Sequence, residues 1–278
     1  MNAQPHPATP TIGLIGLGNL GKPIALNLLA AGYALVVNSL DALEAEDLLT
    51  RGARWATGVA DAAAQSDVLI TVLPGPSQLR AVMIGEGGAL AQMKPGSTFI
   101  DMSTSSVELA LEIQSLATAR GVTAMEAPVS FLAKAPIGAS RASASLQIFV
   151  GGTREAFEAQ LPLLRAIGGM PEQIYHAGPN GSGYAIKILL NQLWFVYAAG
   201  TAEMLAVGSR LGLDLRVLQT ALCASPSQSN FLQYDINSVF EAGDYDEGFT
   251  LDLVCKDLQL GLGLAARAGI DPEMTRLV

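Results

Sequence analysis

The sequence contains only two histidines and two cysteines in 278 residues. His6, His176, Cys223 and Cys255 are far apart and lack metal-ligand spacing, so no metal site is expected. The scarcity of cysteine fits a reducing cytoplasm. Basic residues are few: 16 Lys and Arg stand against 25 Asp and Glu, for a formal net charge of −9. Without a basic stripe, nucleic-acid binding is not expected. The opening MNAQPHPATP has neither the charged head nor the apolar stretch of a signal peptide, and residues 1–10 read as a disordered tail. The uncharged run from Ile188 to Ala202 has 15 residues, short of the roughly 20 that cross a bilayer. It includes Asn191 and Gln192, so it reads as a buried helix and no membrane partner is expected.

What is present is a chain that is 50% hydrophobic and 15% charged, which is a compact globular composition. Its length suits one large domain or two medium ones. Apolar runs at 11–16, 34–38, 67–73, 97–102, 122–126 and 145–150 read as strands. Helical segments cover 19–31 and 105–119, and another starts at Asp41. Strands alternating with helices predict a parallel sheet covered on both faces, wound by right-handed crossovers. The pattern changes at the turn formers Gly178-Pro-Asn-Gly-Ser-Gly183. Long helical stretches follow, at about 182–211 and 251–268. The expected organisation is α/β: a Rossmann-type doubly wound domain over 11–180, then an all-α domain over 181–278.

Gly16-Leu17-Gly18-Asn19-Leu20-Gly21 has the form G-x-G-x-x-G. The string alone is weak in a chain with 29 glycines. Its frame makes it specific: a strand precedes it, a helix follows, and a second strand ends about 20 residues on. Gly16 permits the tight turn, Gly18 lets backbone approach a pyrophosphate, and Gly21 allows close helix–strand packing. The helix N-terminus offers unpaired N–H groups and partial positive charge to the phosphates. The end of the second strand ordinarily decides between NAD and NADP, through an acid that holds the ribose hydroxyls. Here Asn38 and Ser39 occupy that place. Asn38 neither repels nor pairs with a 2′-phosphate, Ser39 can donate one hydrogen bond, and no Arg is adjacent. The expected cofactor is NADP or NAD; the choice stays open, leaning to NADP.

Lys187 precedes the uncharged run, and Asn191 lies four residues on, so the two share one helix face. A desolvated lysine has a lowered pKa and can pass a proton near neutrality. An ammonium within hydrogen-bond reach also stabilises the oxyanion left by hydride transfer to a carbonyl carbon. A lysine that merely snorkels to solvent is the plainer alternative.

Four separated motifs resemble the β-hydroxyacid dehydrogenase family, the 3-hydroxyisobutyrate dehydrogenase-like proteins related to imine reductases. They are Gly13-Leu-Ile-Gly-Leu-Gly-Asn-Leu-Gly21, then Val72-Leu73-Pro74, then Asp101-Met-Ser-Thr104 with Ala127-Pro-Val-Ser130. The fourth is Gly178-x-x-Gly181-x-Gly183-x-x-x-Lys187-x-x-x-Asn191, with Lys256-Asp257 downstream. The resemblance implies that Leu73, Pro74 and Thr104 line the nicotinamide and its ribose, and that Lys256 reaches the cofactor. It implies Lys187 as catalytic acid/base with Asn191 beside it, and Ser130 as a holder of the substrate carboxylate. It also implies a C-terminal domain of the 6-phosphogluconate dehydrogenase type that pairs protomers into a homodimer or homotetramer, and a small-molecule substrate: a β-hydroxy acid, semialdehyde or keto acid.

Two features depart from the family pattern. Phe131 and Leu132 stand where glycines usually follow the serine, and they bring side chains to the expected substrate-binding position. Lys134 and Arg141 in the same stretch are candidate replacement cations. The chain also ends at Val278, where a final helix would normally begin. Two other readings follow. Imine reduction on the same scaffold is disfavoured by Lys187, which imine-reducing relatives tend to lack. A dinucleotide-binding sensor without turnover is disfavoured by the intact Lys187/Asn191 pair.

Overall fold

A computed structural model describes residues 10–131, 146–237 and 249–278. The tail 1–9, Leu132, Lys134, Arg141 and the side chain of Phe131 lie outside the described residues. The described chain forms two compact units, one reaching Ile186 and the other starting at Lys187. The division therefore falls inside a helix, a few residues beyond the glycine-rich turn at 178–183.

The first unit is built on a mixed sheet. Its strands are β1 (Thr11–Ile15), β2 (Ala34–Asn38), β3 (Arg54–Trp55), β4 (Val68–Thr71), β5 (Thr98–Asp101) and β6 (Thr123–Glu126), followed by β7 (Val129–Phe131), β8 (Leu146–Gly151) and β9 (Gly169–Gly178). The order β3-β2-β1-β4-β5-β6 is parallel throughout. It is the order of a doubly wound dinucleotide fold, with its topological switch between β1 and β4. Beyond β6 the sheet becomes mixed: β8 runs antiparallel to β6 and β7, and parallel to β9. The segment after Pro128 forms β7, with Ser130 opposite Gln147. Strands β3, β7 and β9 escape the sequence reading because they are very short or carry polar and glycine residues.

The buried strands read as continuous apolar runs because both faces are covered. Alternate residues sort into two layers. Ile12, Leu14, Leu35, Val37, Ile70 and Ile100 join one cluster. It includes Ile24, Ala25 and Leu28 of α1 (Gly21–Ala30), and Phe157, Leu163 and Leu164 of α6 (Arg154–Ala166). Val36, Leu69 and Phe99 face the other way, against α3 (Val59–Ala64), α4 (Pro76–Ile84) and α5 (Val107–Thr118). The helical segment expected from Asp41 is a 3-10 turn, Ala42–Ala45, continued by α2 (Glu46–Thr50), with the Asp41 carboxylate capping Leu43 N–H at 2.9 Å. His176 accounts for itself structurally: its Nε2 meets the Gly152 carbonyl at 2.9 Å and its ring stacks on Phe157.

The described part of the second unit is helical. The 29-residue α7 (Ser182–Arg210) begins in the first unit and supplies most of its length to the second. It is followed by α8 (Leu215–Cys223), a π turn at Phe231–Asp235, α9 (Leu251–Arg267) and α10 (Glu273–Leu277). Asp214 and Thr250 accept from backbone N–H groups to start α8 and α9. Trp194 packs edge-on against Phe195, Phe231 and Phe249, and its indole N–H donates to Asp235 at 2.9 Å. Cys223 is half-buried and Cys255 is exposed. Among the described residues no helix is long and apolar enough to cross a membrane, and no group of three or more His, Cys, Asp or Glu could hold a metal.

Candidate active site

The glycine turn joins β1 to α1 beside the switch point. Gly16 has φ of +98°, and a side chain there would meet the Val72 carbonyl at 2.2 Å. A Cβ on Gly21 would lie 1.9 Å from the Gly16 carbonyl oxygen. Both glycines are therefore required by the protein's own packing. Gly18 differs: a Cβ there meets nothing within 4 Å. The open space at Gly18 is a cradle that a ligand, not the protein, would fill. Asn19 is exposed and Leu20 half-buried. Leu20 provides no side-chain cap for α1, and no acid sits in the first helical turn. An uncapped helix N-terminus behind an open glycine backbone fits a pyrophosphate.

At the tip of β2, Asn38 is buried and commits its amide to the Ala56 carbonyl at 3.0 Å, while its backbone carbonyl accepts from Gly16 N–H at 2.9 Å. Asn38 thus supports the turn. Ser39 accepts from Leu17 N–H at 3.4 Å and donates to the Glu44 carboxylate. Glu44 lies six residues beyond Asn38, and nothing in the sequence shows that it returns to Ser39.

Leu73 and Pro74 follow β4, half-buried and exposed respectively, and Thr104 follows β5, half-buried. Leu73 N–H donates to Ser103 Oγ at 2.8 Å, and Ser103 Oγ donates to Asp101 at 2.7 Å. Asp101, 1% exposed, also accepts from the hydroxyls of Thr71 and Tyr184. Burial raises its pKa, opposed by these donors, and burial followed by the neighbouring Asp101 charge raises that of Tyr184. Asp101 therefore ties the ends of β4 and β5 to the first turn of α7. Asp101 opens the Asp101-Met-Ser-Thr104 motif, but nothing in the sequence marks it as buried.

Glu126 performs a similar task at the end of β6. It is 2% exposed. Its Oε1 accepts from Gly181 N–H at 2.6 Å and Gly183 N–H at 3.1 Å, and Asn180 donates to its Oε2 at 3.4 Å. A carboxyl group thus satisfies backbone donors at the start of α7. Burial pushes its pKa up to about 7 despite these donors. Glycine is required at 183 because a Cβ would meet the Phe149 carbonyl at 2.3 Å.

Lys187 lies one turn beyond Tyr184 on α7. Burial lowers its pKa to about 8; the Asp257 charge opposes this and the Lys256 charge adds to it. Asp257, on α9, is 1% exposed and accepts from Asn191 Nδ2 at 2.6 Å. Lys256 pairs with the other oxygen of Asp257 at 2.9 Å. Gln192 donates to the Asp257 backbone carbonyl at 2.8 Å, and Gly261, one turn on, leaves room for the Gln192 side chain. The structure thus gathers Lys187, Asn191 and Lys256 around Asp257. Asp257 follows Lys256 in the sequence, but its spacing gives no sign that α7 and α9 meet. Ser130, half-buried on β7, is the one expected substrate-binding residue whose side chain is described.

Comparisons with known proteins show the family of the chain. Residues 11–178 match the family described as the NAD binding domain of 6-phosphogluconate dehydrogenase. Residues 181–278 match the one described as NAD-binding of NADP-dependent 3-hydroxyisobutyrate dehydrogenase. The chain is 35% identical to 2-(hydroxymethyl)glutarate dehydrogenase of Eubacterium barkeri, over 96% of this chain and 86% of that one. It is 36% identical to NAD-dependent L-serine dehydrogenase of Pseudomonas aeruginosa, covering 96% and 89%. The solved 3-hydroxyisobutyrate dehydrogenase of Mycobacterium tuberculosis with L-serine superposes with a TM-score of 0.81 at 27% identity, covering 96% and 90%. An imine reductase from Pseudomonas sp. superposes at 0.63 with 22% identity, which shows the shared fold alone. These likenesses run through both units, and they make this chain a member of the β-hydroxyacid dehydrogenase family, an NAD- or NADP-dependent oxidoreductase acting on CH–OH groups.

Proposed function

We propose that this enzyme oxidises a small β-hydroxy acid to its semialdehyde, and reverses the reaction, with Lys187 as general acid/base. The observation that carries this reading is the buried Asn191–Asp257 bond beside Lys187, with Lys256 on the same carboxylate. The relatives are named for 2-(hydroxymethyl)glutarate, L-serine and 3-hydroxyisobutyrate. Those three compounds share a primary alcohol one carbon removed from the carbon bearing a carboxylate, and that is the substrate class proposed.

When bound, the dinucleotide supplies or accepts the hydride. In reduction, the Lys187 ammonium donates a hydrogen bond to the carbonyl oxygen and then its proton as the alkoxide forms. In oxidation, the free amine takes the hydroxyl proton. A pKa near 8 suits both directions near neutrality. Asp257 keeps two lysines of one cluster from being unbalanced cations, and it fixes the Asn191 amide. Ser130 is the candidate donor to the substrate carboxylate.

The test is turnover on a panel of β-hydroxy acids, semialdehydes and cyclic imines, followed at the nicotinamide absorbance band, with Lys187→Met alongside wild type. Semialdehyde turnover that falls about 10²- to 10⁴-fold in the variant, with dinucleotide binding retained, supports the reading. Imine turnover, or turnover indifferent to Lys187, would overturn it.

The assembly proposed is a homodimer or homotetramer. Leu189, Leu193, Tyr197, Met204 and Val207 form a stripe along α7, continued by Leu211 just past its end, each 45% exposed or more. Their three-, four- and seven-residue spacings keep them on one face, which suits a second copy of the same helix. Sedimentation equilibrium tests this: Leu193→Asp with Val207→Asp should give a monomer, and a monomeric wild type would refute it.

A further inference from the structure

We propose that Glu44 makes this chain selective for NAD and excludes NADP; the inference rests on the dinucleotide reading of the glycine turn. An NAD-selecting acid ordinarily ends β2, where it accepts from the adenosine ribose hydroxyls. That place is taken by Asn38, whose amide turns away to the Ala56 carbonyl. The carboxylate comes instead from the 3-10 turn that follows. Asp41 caps that turn at Leu43 N–H, and Ala45 and Leu48 anchor it in the core. The turn thereby carries Glu44 back to Ser39, whose hydroxyl donates to the Glu44 carboxylate. Ser39 also accepts from Leu17 N–H, inside the glycine turn. One hydroxyl therefore connects the carboxylate to the backbone that cradles the dinucleotide.

The surrounding charge has the same sign. From Pro23 to Thr50 the chain holds Asp41, Glu44, Glu46 and Asp47 and no Lys or Arg, and Arg51 follows at the exposed C-terminal end of α2. Lys22, just before this stretch, is bound to Asp47 at 2.9 Å. Arg54, on β3, lies within reach of the Asp61 charge. A ribose 2′-hydroxyl can donate to Glu44. A 2′-phosphate, carrying between one and two negative charges near neutrality, would face a carboxylate with no cation supplied by that stretch.

Equilibrium titration of the full chain with NADH and NADPH, read by calorimetry, tests the inference. Wild type should bind NADH at least about tenfold more tightly than NADPH, and Glu44→Gln should reduce that ratio by about tenfold, chiefly by tightening NADPH. Glu46→Gln, on the exposed face of α2, should leave the ratio within about twofold. Equal affinities or an NADPH preference in wild type would overturn the inference while leaving the dinucleotide reading standing, as would a ratio unmoved by Glu44→Gln. Failure to bind either dinucleotide would overturn both.

Discussion

Replacing Glu126 by glutamine removes a titratable group from the start of α7 while keeping its shape and a carbonyl oxygen for Gly181 and Gly183. In the unfolded chain a glutamate titrates near 4.5; burial moves Glu126 to about 7 in the fold. Between those values the folded protein keeps a proton that the unfolded chain releases. Wild-type stability from this group is therefore full below 4.5, falls as pH rises to about 7, and is flat above. The distance between the two values corresponds to roughly 3 kcal/mol. Glutamine has no such dependence. Its amide nitrogen faces the Asn180 amide, a cost that does not vary with pH. Urea unfolding of both proteins at pH 4.5 and about pH 8 measures the effect. The difference between variant and wild type should move by about 3 kcal/mol in favour of the variant on going from acid to base. A constant difference, or one that moves the other way, would refute the reasoning: it would mean that the donors from Gly181, Gly183 and Asn180 outweigh burial and that Glu126 is a structural anion in the fold.

With Lys187 lowered to about 8, the rate of carbonyl reduction should fall as pH rises through 8, since the protonated amine is consumed, and alcohol oxidation should rise over the same range; pH–rate profiles in both directions check this. Asp257→Asn removes the charge that opposes burial at Lys187, so both profiles should shift down by about one pH unit or more, and an unmoved profile would show that Asp257 is too well screened to act on Lys187. Gly18→Ala and Gly21→Ala should separate ligand fit from fold: the first meets open space and should weaken dinucleotide binding with stability changed by less than about 1 kcal/mol, whereas the second drives a Cβ onto the Gly16 carbonyl and should cost about 1–3 kcal/mol in urea unfolding. Tyr184→Phe deletes a buried donor to Asp101 and should cost about 1–3 kcal/mol, measured the same way.

The architecture was legible where the physical signal is local. Continuous apolar runs gave β1, β2, β4, β5 and β6, because strands covered on both faces have no polar side to show. The glycine turn was legible because its backbone geometry excludes side chains at Gly16 and Gly21. Lys187 and Asn191 were legible because four residues of helix put them on one face. Strand β7 was not, because three residues paired with a distant strand carry no period of their own.

The amino-acid sequence by itself determined that a dinucleotide turn opens the chain and that a lysine with a helical partner follows the second glycine cluster. The tertiary structure alone decided which acids matter. Glu126, Asp101 and Asp257 look like ordinary carboxylates in the sequence. Each gains its role from burial and from donors 55, 83 or 66 residues away. Glu44 reaches Ser39 only because a capped turn folds it back. Charge in a sequence is a property of the residue; its pKa, its partners and its effect on a ligand depend on how much water the fold leaves around it.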